Sequence, residues 1–315
     1  MSDDLMVAMD TGGSKTRLVL VRPDGVRIAE RTGPGVGAAD DPVETPLPAL
    51  MDAIQALMEG MESGRVGAVT ANLGGKNAGQ LLRALEGGFP AARIRVFRES
   101  SGVLANVLRE ETGSDAILLA GTGLLALARG PSGFFLADGW GRDIGDAGSG
   151  YWIGMQAVSR ALTALEKNEA LPDFAKRITA RGAPFAAAKD AGELMKCRDA
   201  VRSGLLPLGR AKAAGYVPLV CQSARRGDGR ARAILVDAGA MMAQAAIRAL
   251  GGAGLARSCR VLVIGGLVHC ADLWGSSFEA ALRAAFPAAA WQADARDLTA
   301  GAVAYMRRRG GETAT

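Results

Sequence analysis

The apolar positions fall into short runs punctuated by glycine. Residues 7–9 form an apolar run that ends in Asp10. A small-residue turn follows at 11–16, and Leu18, Val19, Leu20 and Val21 resume the apolar pattern. Two short apolar runs joined by a glycine-bearing turn predict a β-hairpin. A turn at Pro23-Asp24-Gly25, a strand at 26–28 and a loop through Gly33-Pro34-Gly35-Val36-Gly37 come next. Leu47, Leu50, Met51, Ile54, Leu57 and Met58 recur at helical spacing and predict a helix over 45–61. The pattern then predicts a strand at 67–73, a helix at 78–85, a strand at 94–97 and a helix at 100–109. Strands alternating with helices predict an α/β sheet with parallel members.

Residues 115–129 repeat the opening theme about a hundred positions later, which points to a duplicated domain. The run 116–120 enters Gly121-Thr122-Gly123, and 124–129 leads out. A third glycine turn, Gly265-Gly266, ends the run 261–264. Residues 151–250 are mostly Ala-rich and helical. Leu298, Val303 and Met306 give 297–309 a helical pattern that can pack back on the first part of the chain. The boundary between two domains falls near Gly113, giving 1–113 and 114–296.

Length agrees with that division, since 315 residues exceed the usual size of one hydrophobic core. Glycine at 43 residues and aromatics at only 5% suit an α/β protein with many tight turns better than an aromatic-layered β-sandwich. The formal net charge of +5 raises the question of an anionic partner. Lys and Arg are dispersed, however, and no basic stripe is interleaved with aromatics, so nucleic acid is not expected. The four cysteines lack CxxC spacing, which fits neither a zinc pattern nor a disulfide framework. The N-terminus lacks a signal-peptide layout, and no apolar run is expected to reach membrane-spanning length. These features predict a cytoplasmic protein without a membrane partner.

The glycine turns carry the candidate chemistry. Gly12 and Gly13 have no Cβ to obstruct backbone amides closing on an anion. Ser14 and Thr16 add hydroxyl donors. Asp10, at the strand end, suits Mg²⁺ held through water.

Three such turns in this order resemble the sugar kinase, Hsp70 and actin superfamily. The stretch Gly139-Trp140-Gly141-Arg142-Asp143-Ile144-Gly145-Asp146-Ala147-Gly148-Ser149-Gly150-Tyr151-Trp152-Ile153-Gly154 resembles the signature of the N-acetylglucosamine kinase and BadF/BcrA-type ATPase family, in which GWG is followed by GDEGSGYWIG. The resemblance spans essentially the whole chain. It implies two actin-like (ribonuclease H-like) α/β domains with an ATP cleft between them. It implies ATP and Mg²⁺ as cofactors, a sugar or amino sugar acceptor, and the homodimer common in such families.

Residue by residue, the resemblance implies that Asp10, Gly12, Gly13, Ser14, Lys15 and Thr16 form the first phosphate site with its Mg²⁺ contact. Gly121, Thr122 and Gly123 match the second phosphate site, and Gly265 and Gly266 the adenosine-side turn. Asp146, with Gly139, Trp140 and Gly141, matches part of the acceptor site. Glu99 falls where the family's kinases carry a catalytic Asp. A carboxylate there would accept the acceptor hydroxyl's proton. The bland alternative is that it simply suits the positive N-terminus of the helix predicted from 100.

Several positions depart from an amino-sugar kinase. Glu99 is one methylene longer than Asp. Val36 stands where the family has a sugar-contacting Asn, Leu124-Leu125 replace a polar Ser-Asn, and Ala147 replaces an acid. Each unpaired sugar hydroxyl would cost about 1–3 kcal/mol. These departures predict a small-molecule kinase whose acceptor is a different or less polar sugar derivative. The alternatives are an ATPase coupling hydrolysis to conformational change, or a nucleotide-binding sensor without turnover. Iron–sulfur activators of the ATPase branch need matched cysteines, and none precedes Cys197 here.

Overall fold

The computed structural model describes residues 4–11, 15–34, 47–59, 65–72, 78–97, 104, 113–179, 188–256, 258–295 and 298–308. Strands β1 (Leu5–Thr11) and β2 (Lys15–Val21) pair antiparallel as the predicted hairpin, with Asp10 opposite Arg17 and Thr11 opposite Thr16. Strand β3 (Arg27–Pro34) runs longer than predicted, because its ladder takes in Gly33 and Pro34, which composition assigns to a loop. Proline is tolerated there because β3 is an edge strand. On the other side of β1 lie β4 (Val66–Asn72) and β5 (Arg93–Phe97), both parallel to it, giving the order β3-β2-β1-β4-β5. Helices α1 (Leu47–Leu57) and α2 (Ala78–Gly88) cover one face. Of the helix predicted over 100–109, only Leu104 lies among the described residues, and it is helical and buried.

The second sheet repeats this plan. Strands β6 (Ala116–Ala120), β7 (Leu124–Gly130) and β8 (Gly133–Asp138) form an antiparallel meander. Strands β9 (Arg260–Ile264) and β10 (Ala290–Asp294) continue parallel to β6, giving the order β10-β9-β6-β7-β8. Strand for strand, the order and directions match the first sheet. The two strands that hydropathy does not predict, β8 and β10, are the two edges. Their side chains are largely exposed, so neither shows the alternation that a half-buried strand writes into a sequence.

Side-chain parity divides each sheet into two faces. Leu5, Val7 and Met9 face α1 and α2, whereas Met6 and Ala8 face the opposite way. In the second sheet Ala116, Leu118, Ala120, Val261 and Val263 face a large helical layer, and Ile117, Leu262 and Ile264 face away from it. The two inner faces meet in one cluster, Met6, Ala8, Val19 and Val21 with Ile117, Leu127, Leu262 and Ile264. Helix α10 (Thr299–Arg308) adds Ala302, Val303 and Met306 to that cluster and packs on β1, β2 and β4.

The helical layer comprises α3 (Gly150–Glu166), α4 (Asp173–Ile178), α5 (Ala191–Leu205), α6 (Arg210–Ala214), α7 (Val217–Arg225), α8 (Gly229–Gly252) and α9 (Ala271–Ala285). The expectation that no apolar run reaches membrane-spanning length is corrected by α8, whose 24 residues are long and apolar enough by length and composition. Its small side chains serve close packing. A Cβ at Gly239 would overlap the Trp274 carbonyl of α9, and Ala231, Ala238, Ala245, Ala246 and Ala249 are all buried in the layer. Trp274 is fully buried, meets Phe278 edge-to-face and Trp291 at a tilt, and donates from Nε1 to Leu267 O at 2.9 Å. The four cysteines are free thiols, and all but Cys197 are buried. Burial lifts the Cys259 thiol to about 11, with Asp115 adding to the rise.

Candidate functional site

The parallel strands of each sheet deliver the chemistry to their carboxyl ends, where open α/β sheets bind ligands. In the first sheet the register sets Asp10 opposite Asn72, and Asn72 opposite Phe97. The chain leaving β5 toward Glu99 therefore emerges at the same end as Asp10. Parity puts Asp10 on the inner face with Met6 and Ala8. Thr11, on the other face, has a buried Oγ1 without a hydrogen-bond partner. Thr16 is fully buried opposite it. Gly12, Gly13, Ser14, Val36 and Glu99 lie outside the described residues, as does the side chain of Lys15.

In the second sheet two glycine turns sit side by side, because β6 and β9 are neighbours and Leu119 pairs with Ile264. Gly265 has φ +105 and ψ −179, a conformation that side chains do not adopt, and a Cβ there would lie 2.5 Å from Ala120 O. Glycine at this position lets the third turn approach the end of β6. Gly266, by contrast, opens onto free space. Gly121 N donates to Gly123 O at 3.0 Å, closing the second turn. The amides of Thr122 and Gly123 donate to no protein acceptor among the described residues. Two consecutive amides not spent within the protein are available to an anion.

The long signature builds the support beneath that turn. Ser149 caps α3 by accepting from Trp152 N at 3.2 Å. Gly150 N and Tyr151 N donate to Gly121 O and Thr122 O at 2.8 and 3.0 Å, which ties the helix start to the turn. A Cβ at Gly154, one turn on, would overlap the Ala213 carbonyl, so this glycine admits α6 against α3. Helix α6 in turn carries Arg210 to the site.

Asp146 is only 2% exposed and both its oxygens are engaged. Oδ1 accepts from Leu124 N at 2.9 Å and Oδ2 pairs with Arg210 Nη2. Burial pushes its pKa up, against the lowering by the Leu124 N–H and Arg210, and Asp138 adds to the rise. Asp138 Oδ1 accepts from Gly139 N and Asp146 N at 2.9 and 2.7 Å, and its Oδ2 pairs with Arg248 at 3.1 Å. Both aspartates occupy the left-handed region, with φ +63 and +61. Such backbone costs about 1–2 kcal/mol per residue, and the bond from Asp146 N to Asp138 Oδ1 ties the two positions together. Asp138 thereby pinches 139–145 into a closed loop. Gly141 O accepts from Gly145 N within it, and Trp140 and Ile144 stand out from it at 73% and 80% exposure.

The structure thus brings Gly121, Thr122, Gly123, Gly265 and Asp146 together and seats Gly139, Trp140 and Gly141 in the adjoining loop. Thr11, Asp138 and Arg210 were missed by sequence reasoning. Arg210 is 64 positions from its partner, so no local pattern could have revealed it. Among the described residues no cluster of three His, Cys, Asp or Glu gathers to hold a metal.

Solved structures share this fold. A protein from Chromobacterium violaceum, provisionally assigned as an N-acetylglucosamine kinase, superposes with a TM-score of 0.64 at 22% identity, covering 96% of this chain and 99% of its own. A Porphyromonas gingivalis protein with the same provisional assignment gives 0.68 at 14% identity over 96% and 99%. The fold is that of the actin-like sugar kinases. A ROK family glucokinase from Streptomyces griseus, solved with glucose and AMPPNP, gives 0.61 at 16% identity over 97% and 100%. No protein-family model and no curated protein sequence matches the chain.

Proposed function

We propose that this chain is an ATP-dependent phosphotransferase acting on a hydroxyl of a sugar or amino sugar, of the N-acetylglucosamine or glucosamine kinase kind. One observation carries the reading. The pair of open amides at Thr122 and Gly123 adjoins the cramped Gly265 turn at the carboxyl ends of neighbouring parallel strands. That is a cradle for a phosphorylated ligand, and the glucose and AMPPNP held by the glucokinase of the same fold support ATP and a sugar as its occupants.

In this reading 1–113 and 114–296 are two domains with ATP between them, and 297–309 returns to the first. The matched strand orders and the contact of α10 with β1, β2 and β4 support that division. Gly12, Gly13, Ser14, Lys15 and Thr16 hold one part of the phosphate chain, Gly121, Thr122 and Gly123 another, and Gly265 and Gly266 flank adenosine. The residues fit the nucleotide and its ion. Thr11 leaves a buried hydroxyl unsatisfied beside the first turn, and Asp10 lies on the inner face. Asp10 would hold Mg²⁺, which would neutralise phosphate charge there. Glu99 takes the proton from the acceptor hydroxyl as the hydroxyl oxygen bonds to the γ-phosphorus and the bond from that phosphorus to the bridging oxygen breaks, leaving ADP. Val36, Gly139, Trp140, Gly141 and Asp146 form the acceptor side.

The deciding experiment measures ADP release from Mg-ATP against a panel of sugars and amino sugars. Acceptor-dependent release is expected. Acceptor-independent release would make the chain an ATPase, and ATP binding without ADP release would make it a sensor.

A further inference from the structure

Arg210 and Asp146 are charged groups in contact with the second glycine turn. The Asp146 carboxylate holds Leu124 N–H, the first amide after the turn. The Arg210 guanidinium lies against Gly123, where a Cβ would come within 2.6 Å of Nη2 and 3.0 Å of Asp146 Oδ2. Arg210 is itself mostly buried, and its Nε has no hydrogen-bond partner. Asp146 has neither exposure nor a spare oxygen with which to meet an acceptor hydroxyl.

We propose that Asp146 and Arg210 are a positioning pair for the nucleotide's phosphates. They hold Leu124 N–H away from the open amides and so leave Thr122 and Gly123 N–H aimed at the phosphate. This inference rests on the phosphotransferase reading and moves Asp146 from its acceptor side to its nucleotide side. A guanidinium within contact distance of a carboxylate favours its charged form, typically by about 1–3 pH units. Burial works in the opposite direction at Asp146 and prevails, with Asp138 reinforcing it. Arg248, which faces Asp138 rather than Asp146, offsets part of that second acid. The charged Asp146 holds the turn at high pH, and proton uptake releases it as pH falls. Deleting Arg210 removes one of the two lowering influences, so Asp146 takes up its proton at a higher pH.

The test is ADP affinity by calorimetry from pH 5 to 9 for wild type, Arg210→Gln, Arg210→Lys and the double variant Arg210→Gln with Asp146→Asn. Titration of ADP itself is common to all four and cancels in the comparison. For Arg210→Gln the acid limb should move up by about 1–3 pH units. Arg210→Lys should recover most of that shift, and the double variant should lose the limb. Where Arg210→Gln fails to fold, the smaller shift of Arg210→Lys against wild type decides. Superimposable profiles would overturn the positioning role while leaving the nucleotide site intact. Failure of wild type to bind ADP at any pH would instead overturn the phosphotransferase reading on which it rests.

Discussion

Gly265→Ala isolates the geometry that joins two of the glycine turns. Alanine at φ +105 and ψ −179 occupies backbone space reserved for glycine, which costs about 1–3 kcal/mol. Its Cβ would also lie 2.5 Å from Ala120 O and 2.9 Å from Ala120 C. Both are backbone atoms at the end of a central strand, so they cannot rotate away, and overpacking of this kind adds about 1–3 kcal/mol. Together the terms predict a loss of about 2–6 kcal/mol, a large share of the 5–15 kcal/mol that stabilises a typical domain. Gly266→Ala is the matched control, because a Cβ there meets nothing within 4 Å, and its expected effect is below about 0.5 kcal/mol. Urea unfolding followed by tryptophan fluorescence suits the comparison, since all four tryptophans, Trp140, Trp152, Trp274 and Trp291, belong to the half of the chain that contains the second sheet. Equal midpoints for the two variants would refute the reasoning. Added ADP separates structure from binding. At about 100 Kd it should stabilise wild type by about 2.7 kcal/mol, and an adenosine resting on the open side of Gly266 would make Gly266→Ala lose part of that increment.

Trp274→Ala should cost about 3–5 kcal/mol in the same melt, because it empties a fully buried site in the aromatic cluster and removes the hydrogen bond to Leu267 O. Asp138→Ala should cost about 2–4 kcal/mol by leaving Gly139 N and Asp146 N without acceptors, and hydrogen exchange should show protection lost at those two amides. Glu99→Gln should lower acceptor-dependent turnover by about 10²–10⁴-fold with ADP affinity unchanged, and undiminished turnover would remove Glu99 from the proton-transfer role.

What the sequence reveals of this fold follows burial. Strands β1, β2, β6, β7 and β9 lie inside their sheets, so apolar side chains mark them, and the glycine turns at their ends are visible by contrast. Strands β8 and β10 form edges with exposed side chains, and their pairing partners, β7 and β9, set them rather than their own pattern. The Gly148 to Gly154 stretch is legible as a motif, but its purpose is not. Only the packing shows that Gly150 makes room for the Gly121 carbonyl and Gly154 for that of Ala213. Asp146 is likewise marked by its motif. What it bonds is not, because its partners are Leu124 N and Arg210, one a backbone atom and the other distant in sequence.

The apolar pair Leu124-Leu125 bears on what the acceptor side can recognise. Alternation along β7 sends Leu124 into the helical layer, where it is 2% exposed, and Leu125 toward the inner cluster. Gly139, with φ +80, rests directly on the Leu125 side chain, where any Cβ would overlap it. A polar pair at these positions would need a partner for each buried group at a cost of about 1–3 kcal/mol for any left unmet. Leucine removes that requirement and sets the 139–145 loop on a packed base. Neither leucine offers a hydrogen bond to a hydroxyl, so in the proposed phosphotransferase discrimination among acceptors would fall to other groups. Within the adjoining loop the largest such group is Trp140, an exposed aromatic face held by a loop that Asp138 pins at both ends. Covering about 100 Å² of that face would contribute about 2.5 kcal/mol, as much as one or two well-made hydrogen bonds. A site built this way gains more from an acceptor with an apolar face or acyl substituent than from one whose periphery is all hydroxyl.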